Sequence, residues 1–468
     1  MKRTVMKRTV KFLITIAIVC IAIPSYSLRL SAHSPKRNID ITATGAKEGL
    51  ERDNAAAIQK AIDKVSKAGG GTVIVPAGDF LSGPVELKSG VELHLERGAR
   101  IVGIADVNAY KDAHPVVNGK MHHQCALIYA DSQEDISVTG LGTIDGQGGE
   151  PAFKIREHGG RPNLIFFYNC KNVTVRDIRL ENSAFWVQYY LDCEGVWING
   201  VKVHSLCNFN NDGIDIDSKD VIVSNCIFDC DDDAICLKSD SQKICENVTV
   251  SNCIAASNCN AIKLGTASFG GFRNVCISNI SIRRASWDNR WHWVDNISGI
   301  TAPVTVISGI AVEMVDGGIA ESVNISNISM RDVQTPIFIR MGSRSKPMSP
   351  EGSSMHGIMI NGVTAVCESM MASSITGVPG LHPEDIYLSD IDITAPGGGT
   401  VEMAEAKVPE VEKSYPENRM FGHSLPAAGL YIRHADNVYL SNVRFHFRKP
   451  DARPLVVIDD CNNVVEKP

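Results

Sequence analysis

Residues 247–255 read NVTVSNCIA, and the phrase returns as NVTVRDIRL from Asn172, GVWINGVKV from Gly195, DVIVSNCIF from Asp220 and NVCISNISI from Asn274. It continues as SVNISNISM from Ser322, GIMINGVTA from Gly357, DIYLSDIDI from Asp385 and NVYLSNVRF from Asn437. Neighbouring copies lie about 23 to 28 residues apart, and the wider gaps are close to two periods or hold an insertion. Self-similarity at this period marks a solenoid, in which each repeat buries its apolar face by stacking on the next. Apolar and polar residues alternate within each copy, as in a strand, and Asn, Asp, Gly and Ser punctuate the strands. Three short strands per repeat make one coil of a right-handed parallel β-helix, an all-β fold with coils spaced by about 4.8 Å. Asn side chains at the turns stack as ladders, which accounts for sequons such as Asn172-Val-Thr without glycosylation.

The ends of such a stack expose unpaired strand edges and apolar interior. Residues 53–68 supply an N-terminal capping helix: Asp53 is an N-cap candidate, and Ile58, Ile62 and Val65 share one face. Gly69, Gly70 and Gly71 end this helix, and TVIVPAG opens the first strand. With no linker in view, residues 28–468 are expected to form one domain. Ahead of it, Lys2, Arg3, Lys7, Arg8 and Lys11 precede the apolar run 12–23, and Ser25 and Ser27 suit a cleavage site. Residues 1–27 therefore read as a signal peptide, its apolar run too short to span a bilayer, and the mature protein is expected to be periplasmic or secreted. Cys20 follows AIV, without the small residue a lipoprotein signal carries there, which disfavours a lipid anchor.

The chain has 468 residues, 44% of them hydrophobic, and a formal net charge of −7 with no long basic run. Neither nucleic acid nor an anionic membrane is an expected partner. Of 14 cysteines, 13 follow the leader, an odd number, and they recur at one phase in NCKNV, DCEGV and SNCIF. That suits small apolar side chains stacked in a core better than a disulfide framework. No CxxC faces a second CxxC or an HxxxH at zinc spacing, so no metal or other cofactor is expected.

The chemistry concentrates in NNDGIDIDS, residues 210–218, and DCDDDAICLKS, residues 229–239. The repeats place the two segments at similar positions of adjacent coils, so Asp212 is expected beside Asp232 and Asp233. Like charges that close raise at least one pKa, and the cluster retains a proton near neutrality. A glycosidase needs such a pairing, a protonated acid for the leaving oxygen and an ionised base for water. The same residues also fit a calcium site or a solvated acidic turn. Against those readings, Ile214, Ile216, Ile235 and Leu237 keep strand alternation beside the carboxylates, which puts the carboxylates on rigid elements.

Taken together these motifs resemble glycoside hydrolase family 28, the polygalacturonase and rhamnogalacturonase family, over essentially all of the mature sequence. DNAAAIQKAID from Asp53, GGGTVIVPAGDFLSGPVELKSGVELHLE from Gly69, GTIDGQG from Gly142 and RPNLIFF from Arg161 resemble its N-terminal half. NNDGID resembles the family's NTDG motif, and DDAICLKS its GDDC motif with a following KS pair. The resemblance implies that Asp232 is the general acid and that Asp212 and Asp233 activate water, with inversion at the anomeric carbon. It also makes Asn210 and Lys238 substrate-binding candidates.

Two motifs depart from the family. Where it has GHG this chain has CNAIKLGT, so Asn260 replaces a histidine, and an amide carries no charge. Lys263 follows as a compensating cation or as a ladder-end lysine paired with a neighbouring Asp. The family's RIK aligns in two ways: coil count gives GIAVEM, with Ala311 and Glu313 in place of the cations, whereas residue similarity gives PIFIRMGSR, with Arg340. Coil count is favoured; Glu313 would then repel a uronate and accept hydroxyl donors from a neutral sugar, or else cap a turn from a buried position. Tyr189 and Tyr190 are candidates for the cleft floor. The aromatics of WDNRWHWVDN, among them Trp287, Trp291, His292 and Trp293, suit sugar stacking or an aromatic plug. YPENRMFGHSLPAAG, from Tyr415, reads as a long loop over the groove, and Arg433 and His434 beyond it as solvated strand residues.

The leading expectation is a monomeric hydrolase of pectic or related wall polysaccharide, or oligosaccharides from it, with a neutral sugar or a rhamnogalacturonan in its reactive subsite. An exo-polygalacturonase is the alternative. A polysaccharide lyase or a non-catalytic glycan-binding solenoid would share the fold, because fold does not determine function. A lyase needs cations or calcium around a uronate, which the Asp trio does not supply.

Overall fold

The repeated phrase forms two strands joined at a corner, in a computed structural model that describes residues 37–117, 119–154, 160–287, 305–345 and 352–467. The first and sixth residues of each phrase take left-handed backbone: Asn247 and Asn252 both have φ 57°, and Asn274 and Asn279 have 52° and 57°. Asp220 and Asn225, Asp385 and Asp390, and the glycine pair Gly357 and Gly362 take the same two places in other copies. Asn, Asp and Gly enter this region at least cost, which is why they recur at this spacing.

Each coil contributes a strand to three parallel sheets. The first sheet holds the opening strands of the phrases, for example Val221↔Val248↔Val275↔Val323↔Ile358↔Ile386↔Val438. The second holds their closing strands, as in Phe228↔Ala255↔Ile282. The third runs from Asn163–Tyr168 through Asp215, Ile235–Ser239, Asn260–Ser268 and Val306–Met314 to Val456. Among the described residues the pairing within these sheets is coil to coil and parallel, giving the expected parallel β-helix; a short antiparallel hairpin, Val116–Val117 with Lys120–Met121, stands apart from it. Inward residues such as Val250, Ile277, Ile262 and Ile310 are wholly buried, in one continuous core.

The capping helix spans Ala55–Lys67 and buries Ile58, Ala61, Ile62 and Val65. The helix begins after Asn54, whose side chain bonds Lys47 and Leu81 backbone instead of the helix, while Asp53 Oδ1 accepts the Ala55 N–H at 2.8 Å. The TVIV strand, expected to open the solenoid, is the second: Arg37–Asp40 pairs ahead of it, against Gly71–Ile74. The described cysteines are unpaired and mostly buried. No described helix is long and apolar enough to cross a membrane. The leader with Cys20, and Trp291, His292 and Trp293, lie outside the described residues; Trp287 is exposed.

The asparagine ladders are hydrogen-bonded: Asn279 Nδ2 donates to Asn252 Oδ1 at 3.1 Å, Asn274 to Asn247 at 2.9 Å, and the sequon residue Asn172 to Asp135 at 3.1 Å. Asn279 also accepts from Asn327 Nδ2 at 3.3 Å, and Asn279→Val is expected to destabilise the protein by about 2 to 3 kcal/mol, combining about 1–2 for a β-branched residue at positive φ with about 1 for the two exposed ladder hydrogen bonds together. Asn279→Gly should cost about 1 kcal/mol, since only the two exposed ladder hydrogen bonds go. Urea unfolding of the two variants, compared with wild type, measures the difference.

Candidate active site

The third sheet brings the sequence candidates together. Asp215 pairs with Cys236, Cys236 with Lys263 and Lys263 with Ala311, so four successive coils carry the NNDG, DD, CNAIK and GIAVEM segments in order. Asp212, Asp232 and Asp233 stand in the turns entering these strands. The turns are themselves joined, Gly213 N–H donating to Asp233 O and Ala234 N–H to Asn260 O, each at 2.8 Å. A Cβ on Gly213 would lie 2.6 Å from Ala234 O, so this close approach requires the glycine of NNDG.

Asp233 receives the most partners. Its Oδ1 accepts from Asn260 Nδ2 at 2.8 Å and its Oδ2 pairs with Lys263 Nζ at 2.9 Å. Asp232 accepts the Asp233 N–H at 2.9 Å and, more distantly, Asn210 Nδ2 at 3.4 Å; Arg161 in turn donates to Asn210 Oδ1 at 3.0 Å. Asp212 Oδ2 lies 3.6 Å from Lys238 Nζ, which sits closer to Asp215 Oδ1, at 3.1 Å, and over the Trp186 ring at 4.5 Å. One carboxylate oxygen each of Asp232 and Asp233 lie within 4.8 Å of each other, and the same holds for Asp212 and Asp233.

These surroundings separate the protonation states. Burial pushes Asp232 up to about 6, reinforced by Asp233 and opposed by Lys263. Burial would raise Asp233 too, but Lys263, Lys238 and Asn260 together hold it below the usual carboxylate range. Asp212 is raised well above that range by burial and by its neighbours Asp215 and Asp232, and Asp215 is pushed up to about 7 by burial against the pull of Lys238. Below about pH 6, a protonated Asp232 therefore stands beside an ionised Asp233.

The cleft over this cluster, about 420 Å³, is lined by Trp186, Asn210, the three aspartates, Lys238, Asp240, Thr266, Ala267, Arg344 and Tyr415. Asn260, Lys263, Glu313, Arg340, Tyr189 and Tyr190, all candidates from the sequence, do not line it, and each is buried. Glu313 is fully buried, accepts from Thr266 Oγ1 at 3.1 Å, lies 3.8 Å from Lys263 Nζ and is pushed up to about 7 by burial. Arg340, one coil further on, pairs across from Glu313 and spends its guanidinium on Gly377 O and Glu410 O, under the loop that ends at the cleft. Tyr189 is buried against Phe166, ring centroids 4.8 Å apart, beneath Trp186, which takes the cleft position instead. Lys263 is also buried, behind Asp233, and donates to Tyr415 Oη at 3.0 Å.

Trp186, Asp215, Arg344 and Tyr415 escaped the sequence reading as site residues. Asp215 had a signal, an acid at an outward strand position beside the trio; Arg344 lay in the PIFIRMGSR segment but behind the arginine that drew attention. Tyr415 begins the segment read as a loop over the groove, and Asn418 pins that segment to the third sheet through Ile307 O and Thr335 Oγ1.

The sequence model for glycosyl hydrolases family 28 matches residues 66–414. The chain belongs to this family. By family it is a glycoside hydrolase. A Vitis vinifera protein named "Probable polygalacturonase" is 30% identical over 203 residues, a match spanning 40% of this chain and only 41% of that protein. The endo-polygalacturonase of Pectobacterium carotovorum subsp. carotovorum is 24% identical over 377 residues, 74% of this chain and 86% of that one. Among solved structures, the family 28 exopolygalacturonase of Yersinia enterocolitica superposes with a TM-score of 0.69 at 18% identity, covering 92% of this chain and 78% of that one, a likeness of fold.

Removing the buried ammonium tests the electrostatic arrangement directly. Lys263→Met leaves Asp233 without its ion-pair partner and is expected to cost about 3–5 kcal/mol in denaturant unfolding. Adding Glu313→Gln should restore part of that loss, because a neutral amide removes the second carboxylate that Lys263 faces.

Proposed function

We propose that this family 28 chain hydrolyses a glycosidic bond in a pectic polysaccharide or an oligosaccharide derived from it, with Asp232 as general acid and Asp233 as general base. The observation carrying this reading is the split between two adjacent carboxylates, Asp232 pushed up to about 6 and Asp233 held low by Lys263. Asp232 gives its proton to the glycosidic oxygen as the bond from that oxygen to the anomeric carbon breaks. Asp233 takes a proton from the water whose oxygen bonds the same carbon, and Asp212 orients that water. The net change is addition of water, and the proton gained by Asp233 returns to Asp232 through solvent. The Asp232 and Asp233 carboxyls stand near or below the short end of the separation usual for inverting enzymes, roughly 6.5–9.5 Å, so water must be held against the carboxylates rather than in a wide gap. Inversion is the outcome that family membership supports, and NMR of the first product formed reads it.

The reactive subsite suits a neutral sugar, as in a rhamnogalacturonan fragment or a neutral-ended side chain. Both described cations lining the cleft are already matched: Lys238 by Asp215 and Asp212, and Arg344 by Asp316, with Nε 3.0 Å from Oδ1. A uronate would find no uncommitted partner among the described lining residues. Arg344 favours a second reading, an exo-polygalacturonase in which a substrate carboxylate displaces Asp316. The signal peptide read at residues 1–27 supports a periplasmic or extracellular location for either activity.

A panel of polygalacturonate, rhamnogalacturonan and neutral-branched pectin separates the readings. The expected result is saturated sugars released from the second or third substrate and polygalacturonate turned over orders of magnitude more slowly. Efficient release of galacturonate overturns the neutral-sugar assignment, and unsaturated products absorbing in the ultraviolet would make the chain a lyase.

The pH profile and one substitution test the roles of the carboxylates. Asp232 must be protonated, so kcat/KM should fall as pH rises through about 6. Asp233 must be ionised, and its lowered pKa should keep activity on the acid side below the ordinary aspartate value of about 3.9. Asp232→Asn should lower kcat by about 10²- to 10⁴-fold with folding retained, and should remove the limb near 6.

A further inference from the structure

At the far end of the third sheet, Thr376, Arg433 and Asp459 stand in register on successive coils; His434 and Asp460 follow at left-handed corners within their strands, φ 51° and 47°, and His382 lies six residues after Thr376. His434, a solvated strand residue by its sequence context, is only 5% exposed. Its Nδ1 lies 2.7 Å from Asp460 Oδ2 and its Nε2 3.0 Å from Glu410 Oε2. His382 Nδ1 lies 3.2 Å from Asp436 Oδ2, and its Nε2 points to the same Asp460 oxygen at 3.9 Å. One nitrogen of each ring thus converges on Asp460 Oδ2, while the other is held by a carboxylate of its own.

We propose that His382 Nε2, His434 Nδ1 and Asp460 bind a divalent transition-metal ion of the zinc class. The three ligand atoms already lie within 4.8 Å of one another. Tetrahedral zinc, with bonds of about 2.0–2.1 Å, needs ligand atoms about 3.3–3.5 Å apart. The 2.7 and 3.9 Å separations bracket that distance, so small side-chain rotations suffice. Metal-bound histidines characteristically hand their second nitrogen to a carboxylate, which fixes the ring and raises its basicity. Glu410 and Asp436 occupy those places. Two imidazoles and one carboxylate favour zinc, copper or nickel over calcium and magnesium, which prefer all-oxygen sites. The Asp460 side chain is 63% exposed, leaving an entry path and room for water as a fourth ligand.

The site has a structural consequence. Glu410 also pairs with Arg433, its carbonyl accepts from Arg340 at 2.9 Å, and the chain runs five residues on to Tyr415 in the cleft lining. A metal on His434 would tether that loop from the far side of the stack. None of its three ligands lines the cleft, and this inference stands independently of the substrate assigned above.

Calorimetric titration of zinc chloride into the tag-free mature protein, freed of metal with a chelator and exchanged into buffer, tests the proposal. One zinc ion per chain is expected with a micromolar or tighter Kd, together with proton release as Nδ1 of His434 exchanges its hydrogen for metal and a rise in Tm. Cobalt at the same stoichiometry should give the visible absorption of a tetrahedral nitrogen-containing site. Asp460→Ala changes an exposed ligand that can be lost without unfolding, and should weaken zinc binding at least tenfold and abolish the zinc-dependent Tm rise. His382→Ala should do the same. Absence of stoichiometric uptake, uptake unchanged in both variants, or calcium binding as tightly at the same residues would each overturn the assignment and leave an ion-paired histidine cluster.

Discussion

Parallel pairing between successive coils determines which side chain stands over which, and every functional contact follows from it. A strand register cannot slip by one residue without turning the whole apolar set outward, so the burial of Val250, Ile277 and Ile262 locks the outward positions as firmly as the inward ones. Asp215, Cys236, Lys263 and Ala311 are thereby held in one outward column. The carboxylates ride at the entry to that column, on turns whose backbone is bonded from coil to coil. Positioning of this kind comes from the scaffold and needs no flexible loop to close first.

The electrostatics depend on that register. Lys263 occupies the outward place one coil after Asp233 and behind it, 1% exposed, so its charge is felt at low dielectric. An ammonium in that place favours the ionised form of Asp233, while burial raises the neighbouring Asp232 to about 6. A neutral asparagine at 260 is then sufficient, because its amide has only to donate a hydrogen bond to an Asp233 whose charge is already stabilised. The buried Glu313 completes the arrangement from the far side of Lys263. It belongs to the scaffold of the site, which removes the repulsion once expected between it and a uronate.

Much of this was legible in the sequence, for identifiable reasons. The solenoid was readable because left-handed corners restrict residue choice to Asn, Asp and Gly at two places in each phrase, and that restriction is periodic. The aspartate trio was readable because coil spacing and motif agreed. The fate of Glu313, Arg340 and Tyr189 was not, because alternation tells which residues face outward but not which outward positions another segment covers. Tyr189 is covered by Trp186, and Arg340 by the 405–421 segment, whose Phe421 ring lies 5.9 Å from its guanidinium. The covering over Arg340 comes from an insertion between repeats, where the period is silent.

The same coverings explain how residues far along the stack bear on the cleft. Arg340 stands one coil beyond Glu313 and Arg433 two coils beyond Arg340, yet both hold the 408–410 backbone or the Glu410 side chain. From there the loop reaches back across the sheet to place Tyr415 against Lys263. The solenoid transmits little sideways, since each coil touches only its neighbours. A loop anchored two and four coils beyond Lys263 bypasses that limit. It makes the wall of the cleft depend on arginines that do not line it, and it accounts for an arginine in a PIFIRM segment that resembles a substrate clamp in sequence while serving as an anchor in the fold.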